Sequence, residues 1–183
     1  MKRMLIVVCV CLMGVGMTGG MTQEKRQEIA EQLIEKKYDR FKDETTIKLK
    51  PQKLREIAKP REELSLSVEA THKGERLVRP KEVMLIFNSV SENYIYHDEA
   101  DVFFIIDGKR IEAGAAYAKD DLLSPNLIKK TLTATVPLET FLAIANGKAV
   151  EMKLGRAELR LSDNVISALR AFSNAITGES KGG

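Results

Sequence analysis

The densest group of side chains that could do chemistry lies between residues 94 and 101, in the sequence Tyr-Ile-Tyr-His-Asp-Glu-Ala-Asp. An imidazole next to carboxylates can bind a divalent cation or exchange a proton with a substrate. Residues 96–101 are therefore the candidate site of a metal-dependent enzyme or binder. The site includes Tyr96, and its candidate metal ligands are His97, Asp98, Glu99 and Asp101.

The spacing in this segment does not match a known class of metal site. A calcium loop needs oxygen ligands at fixed intervals around a glycine, and a zinc site needs more nitrogen or sulfur donors than His97 supplies. The spacing therefore favours the alternative, a solvated acidic loop that joins two strands.

Other sites of catalysis have even less support in the sequence. The second histidine, His72, precedes Lys73 and Gly74 at the end of a predicted strand, which is typical of a surface residue. The chain has no Gly-x-Ser-x-Gly motif and no glycine-rich loop between a strand and a helix. We therefore predict no catalytic residue and no cofactor.

Residues 1–20 have the order of a secretory signal peptide. Lys2 and Arg3 precede an apolar run over residues 5–17, and Gly19-Gly20 supplies small residues for cleavage. Cleavage near Gly20 predicts an exported protein, periplasmic or extracellular. The alternative is a leader that stays uncleaved as a membrane anchor.

The cysteines and the net charge both depend on this leader. The two cysteines, Cys9 and Cys11, lie inside the apolar run, so the processed chain has no thiol. Without Lys2 and Arg3 the 29 basic side chains fall to 27, against 26 acidic ones, and the two signs are interleaved. This charge pattern argues against a nucleic-acid partner.

Alternating polar and apolar residues predict most of the strands that would position residues 96–101. The alternation covers residues 45–50 up to Pro51, 64–71, 131–136, and a hairpin that turns at Gly155 between residues 150–154 and 157–161. Residues 83–87 form an uninterrupted apolar run, which predicts a strand covered on both faces. Residues 102–106 are a second such run, and Asp107-Gly108 after them predicts a tight turn.

The remaining segments are assigned as helices or loops. Residues 22–38 favour a spacer helix, and residues 114–126 favour a long irregular connection. A helix is predicted from Pro137 to Asn146-Gly147, and a second from its N-cap Ser162 to Gly178.

These elements predict a mainly β protein with two short helices, folded as an antiparallel two-layer β-sandwich with an N-terminal spacer helix. The predicted boundaries are 1–20 for the signal peptide, 21–40 for the helical spacer, 41–178 for the β-sandwich and 179–183 for a disordered tail.

Three segments, residues 38–46, 141–147 and 150–172, resemble a group of uncharacterised bacterial exported proteins. The order of helix, short hairpin and terminal helix is also similar to the C-terminal part of invasion-associated locus B proteins, which are periplasmic β-sandwiches. The second resemblance implies a periplasmic location, and neither brings a catalytic or ligand-binding residue. The processed chain departs from the locus B pattern because it lacks cysteines.

Together these features predict a non-enzymatic binding or accessory protein of the bacterial cell envelope. Its expected partner is an envelope protein or a glycan, and membrane contact is expected only through an uncleaved signal segment. The metal-dependent enzyme or binder at residues 96–101 is the alternative.

Overall fold

The computed structural model describes residues 29, 31–57, 62–92, 98–124 and 127–178. These residues form one antiparallel sheet of nine strands, curled into a half-barrel, and two helices. The strands are β1 (Ile34–Asp39), β2 (Glu44–Ile57), β3 (Glu62–Lys73), β4 (Glu82–Ser91), β5 (Glu99–Ile106), β6 (Lys109–Ser124), β7 (Leu127–Pro137), β8 (Val150–Leu154) and β9 (Ala157–Arg160). The helices are α1 (Leu138–Asn146) and α2 (Asp163–Thr177), and the strand order across the sheet is β1-β2-β3-β4-β7-β6-β5-β8-β9.

The two faces of the sheet differ in burial, and we call them the inner and outer faces. Alternate residues of β3 and β7 point to the inner face, where their apolar side chains are buried. Both helices pack there, and the rings of Phe141 in α1 and Phe172 in α2 meet edge to face with centroids 5.7 Å apart. Burial of each such side chain contributes about 1.5–3 kcal/mol, so the inner face carries the core.

The predicted helix ends and tight turn are confirmed. The Ser162 hydroxyl accepts a hydrogen bond from the Val165 N–H, and Gly178 ends α2 with a left-handed φ of 73°. Asp107 and Gly108 have φ values of 50° and 84°, as a tight hairpin turn requires. The Asp107 carboxylate also accepts hydrogen bonds from the N–H groups of residues 148 and 149, which fixes the start of β8 against this turn.

The prediction of a helix over residues 22–38 is wrong in its last part, because Ile34–Asp39 is a strand. Residues 21–28 and 30 of the predicted spacer lie outside the described residues. β1 pairs with β2 along its whole length, from Ile34 opposite Leu49 to Asp39 opposite Glu44. The Asp39 carboxylate closes the connecting turn by accepting from the Phe41 N–H. Pairing between strands has overridden a helix propensity that is only a weak local preference.

The two sheets of the predicted sandwich are replaced by one continuous sheet in the described residues. Residues 114–126, predicted to be irregular, belong mostly to β6, and β2 continues past Pro51. The register of β2 shifts between Leu49 and Gln52, so Pro51 lies where a ladder hydrogen bond is already interrupted. Long strands with such irregularities let one sheet curl, and the two helices cover its inner face in place of a second sheet.

β4 and β5 are covered on one face only, although the apolar run over residues 83–87 predicted cover on both faces of β4. Met84 in β4 is 38% exposed and Ile105 in β5 is 40% exposed, while their neighbours along each strand are buried. The predicted signal peptide and tail lie outside the described residues. Within the described residues, neither helix has the length and apolar character needed to cross a membrane.

Candidate functional site

The structure describes only part of the acidic segment that the sequence analysis selected. Tyr96 and His97 lie outside the described residues. Asp98 precedes β5 with an exposed side chain, and Glu99 and Asp101 are exposed on β5. Within the described residues no three His, Cys, Asp or Glu side chains lie close enough together to hold a metal ion. The metal site at residues 96–101 therefore stays a prediction.

Asp98 contacts a buried lysine that the sequence analysis did not select. The Lys130 ammonium is 3.2 Å from the Asp98 carboxylate, and the Lys130 side chain is only 5% exposed. Lys130 lies on the inner face of β7, opposite the buried Ser89 of β4. The alternation through Leu132, Ala134 and Val136 extends back to position 130, so the sequence did contain a signal for this burial.

His72 is buried instead of lying on the surface. Its ring is at the end of β3, with Nδ1 3.0 Å from the Lys73 carbonyl oxygen, and the residue is 8% exposed. Within the described part of the chain, Nε2 has no hydrogen-bond partner. The ring faces the core side of the sheet, where it fills space beside the buried Thr45. A structural role therefore accounts for His72.

The outer face carries an open groove of about 500 Å³ where β5, β8 and β9 lie side by side, and we call it the outer groove. Its first row of side chains crosses the sheet from Phe103 through Lys153 to Glu158. The Lys153 ammonium bonds the Glu158 carboxylate at 2.8 Å. This hydrogen bond, with the positive charge behind it, lowers the pKa of Glu158 below its usual value. The Lys153 ammonium therefore favours the charged form of Glu158 at the rim of the groove.

A second row runs parallel to the first and carries more positive than negative charge. The strand register places Arg110, Ile105, Glu151 and Arg160 in one line across β6, β5, β8 and β9. The Arg110 guanidinium lies over the Phe103 ring, 4.5 Å from its centroid, which ties the two rows together. Neither Arg110 nor Arg160 has a carboxylate within 4.0 Å among the described residues. The row therefore offers an exposed aliphatic side chain with Arg110 on one side and Glu151 on the other, and Arg160 at its far end.

The sequence contains only part of the signal for this groove. Residues 102–106 form one apolar run, and the run does not separate Phe103 and Ile105, which face outward, from their buried neighbours. The alternation in the β8–β9 hairpin did place Glu151, Lys153, Glu158 and Arg160 on one face. The alternation does not show that β5 lies beside this hairpin, because β5 is distant along the chain.

The chain matches no protein-family model, no curated protein and no solved structure. The resemblance to exported bacterial proteins and to the locus B sandwiches therefore stays a prediction. Any function has to be argued from the residues of the site itself.

Proposed function

We propose that this chain is a non-enzymatic binding domain of the bacterial cell envelope, and that its outer groove binds a protein partner. The observation that carries the proposal is the pair formed by Ile105 and Arg110. An apolar side chain that is 40% exposed lies directly opposite a guanidinium without an ion-pair partner in the described residues. Such a pair fits a partner segment that presents an apolar side chain beside a carboxylate.

The shape of the groove supports binding of a macromolecule. It is open along the face of the sheet, and its floor contains the side chains of Phe103 and Ile105, with charged side chains at the rim. Interfaces commonly combine an apolar centre with a polar rim in this way. Arg110 is held in place by the Phe103 ring, so less conformational entropy is lost when it meets a carboxylate.

A protein partner is favoured over a glycan by the position of Arg110. Glycan sites commonly stack a sugar ring on a free aromatic face. In the outer groove the guanidinium already covers one face of Phe103, and no other aromatic ring lines the groove within the described residues. The groove is better suited to an acidic, apolar stretch of polypeptide.

Location in the cell envelope is supported by the sequence of residues 1–20, with its basic start, apolar run and small residues before Met21. Export and processing near Gly20 would leave a domain without cysteine, so its folding would not depend on the redox state outside the cytoplasm. The alternative function, a metal-dependent enzyme or binder at residues 96–101, has weaker support. One of its proposed ligands, Asp98, is bonded to Lys130.

Charge reversal at Arg110 tests the proposed function. The tagged full chain and its Arg110→Glu variant are used to capture proteins from a detergent extract of the envelope of the cells that produce it. We expect wild type to recover a reproducible protein partner and Arg110→Glu to recover at least about tenfold less of it. The partner's carboxylate, which Arg110 attracts, would be repelled by a glutamate at the same position.

The matched control is Lys109→Glu, which makes the same change of charge at an exposed neighbour outside the groove. It should capture the partner as well as wild type does. Equal capture by Arg110→Glu, or a captured species that resists protease and is released by glycosidase, contradicts the proposal.

A further inference from the structure

The described sheet does not close, so it has two edge strands, β1 and β9. An edge strand presents backbone N–H and C=O groups that can pair with a strand of another chain. Natural proteins block such edges with lysines, prolines, bulges or short strands. The two edges of this sheet differ in how their charges would meet a second copy.

The hydrogen-bond phase of the β8–β9 hairpin decides which residues of β9 face its open edge. The Leu161 N–H donates to the Val150 carbonyl at 2.9 Å, so residues 157, 159 and 161 direct their backbone groups toward β8. Glu158 and Arg160 alternate with them. Their backbone N–H and C=O groups therefore point away from β8, to the open edge.

We propose that β9 pairs antiparallel with β9 of a second copy of this chain, with Leu159 on the twofold axis. In this register Glu158 of each copy lies opposite Arg160 of the other, and the two residues exchange backbone hydrogen bonds across the edge. Leu159 meets its own copy as a non-hydrogen-bonded pair, where side chains approach closely. The arrangement joins the two sheets into one.

The side-chain charges select this register among the symmetric ones centred on residues 158, 159 and 160. Pairing centred on Glu158 would place two carboxylates side by side, and pairing centred on Arg160 would do the same with two guanidiniums. Centring on Leu159 instead makes two opposite-charge pairs between Glu158 and Arg160. Both side chains are exposed on the outer face, so they can meet without disturbing the core. Glu158 bonds Lys153 of its own chain through Oε1, and its second carboxylate oxygen can face Arg160 of the other copy.

The other edge is better protected against pairing. β1 carries Glu35, Lys36 and Lys37 in succession, and a symmetric pairing centred on any of these three residues sets two identical charges on the axis. Pairing centred on Tyr38 would set Lys37 opposite Asp39, but two consecutive lysines on an edge strand are a common protection against pairing. Self-association is therefore expected through β9.

This pairing goes beyond the proposed binding function, because it uses the edge of β9 and needs no partner protein. It would also set the outer grooves of the two copies side by side across the axis, since Glu158 and Arg160 line them. The short strand predicts a weak dimer, with a dissociation constant in about the micromolar range.

Complementary charge variants test the dimer by sedimentation velocity on the full chain. Wild type should sediment as a concentration-dependent dimer. Glu158→Arg alone and Arg160→Glu alone should each raise the dissociation constant at least about tenfold, because each sets like charges opposite. An equimolar mixture of the two variants should regain the dimer, since every contact across the axis is again between opposite charges.

Two further variants separate pairing from folding. Lys37→Glu on the opposite edge should leave the dimer unchanged. Glu158→Pro removes an N–H that points to the open edge, so it should give a monomer. Because this N–H does not bond β8, the fold should keep its stability, with a thermal unfolding midpoint close to that of the monomeric Arg160→Glu variant. The proposal is overturned if wild type stays monomeric up to submillimolar concentration, if either single charge variant dimerises with the dissociation constant of wild type, or if the mixture associates no more tightly than the single variants do. A wild-type chain that stays monomeric but captures a partner through Arg110 would refute the pairing and leave the proposed function standing.

Discussion

Replacing Phe172 with alanine is expected to lower the free energy of unfolding by about 3–5 kcal/mol. The Phe172 side chain, in α2, is fully buried, and its ring packs edge to face against Phe141 of α1 at an interplanar angle of 88°. Its removal leaves a cavity between the helices and the inner face, where surrounding side chains relax only in part. Urea unfolding followed by circular dichroism measures the loss.

The control for this variant is Asn164→Ala, at an exposed position of the same helix, which should change stability by about 0.5 kcal/mol or less. A double-mutant cycle with Phe141→Ala should show a coupling of about 0.5–1.5 kcal/mol between the two rings. A loss below about 1 kcal/mol for Phe172→Ala would mean that α2 does not pack into the core as described.

Leu85→Lys is expected to lower the free energy of unfolding by about 4 kcal/mol or more, whereas Met84→Lys should lower it by about 1 kcal/mol or less. Leu85 is 1% exposed on the inner face, between Val68 of β3 and Ala134 of β7. An ammonium group there would lose its water without gaining a partner. Met84 is 38% exposed on the outer face, so a lysine can extend into solvent.

The same urea experiment compares the two lysine variants, with each residue serving as the control for the other. The pair is informative because Met84 and Leu85 are adjacent apolar residues of similar size within one uninterrupted run. Equal and large losses at both positions would show that β4 is covered on both faces, as the run alone predicts, and would contradict a sheet with one solvated face.

Local signals in the sequence were sufficient for many elements. Alternation of single residues located β3, β7 and the β8–β9 hairpin, because a strand with one wet face repeats every two residues. The Asp107-Gly108 turn and the two helices were found from residues with specific backbone roles, such as Ser162 at an N-cap and Gly178 after a C-terminus. These signals need no knowledge of distant contacts.

Features that depend on distant pairing were not predictable in the same way. Ile34–Asp39 has a composition compatible with a helix, and its pairing with β2 decides its conformation. The separation of Met84 and Ile105 from their buried neighbours depends on which face the helices cover. The outer groove combines β5 with a hairpin some fifty residues further along, at Phe103 opposite Lys153. Side-chain types alone did not indicate which strands lie side by side or which face of the sheet the helices cover.

A photo-reactive amino acid at position 105 gives the most direct test of binding at the outer groove. Placed in the full chain within the cells that produce it, it should form an adduct of defined mass with an envelope protein. The same probe at position 84, equally exposed on the outer face but outside the groove, should give no such adduct, and Arg110→Glu should abolish the adduct at position 105. No adduct at position 105, the same adduct at position 84, or a cytoplasmic protein as its partner would contradict binding at this groove.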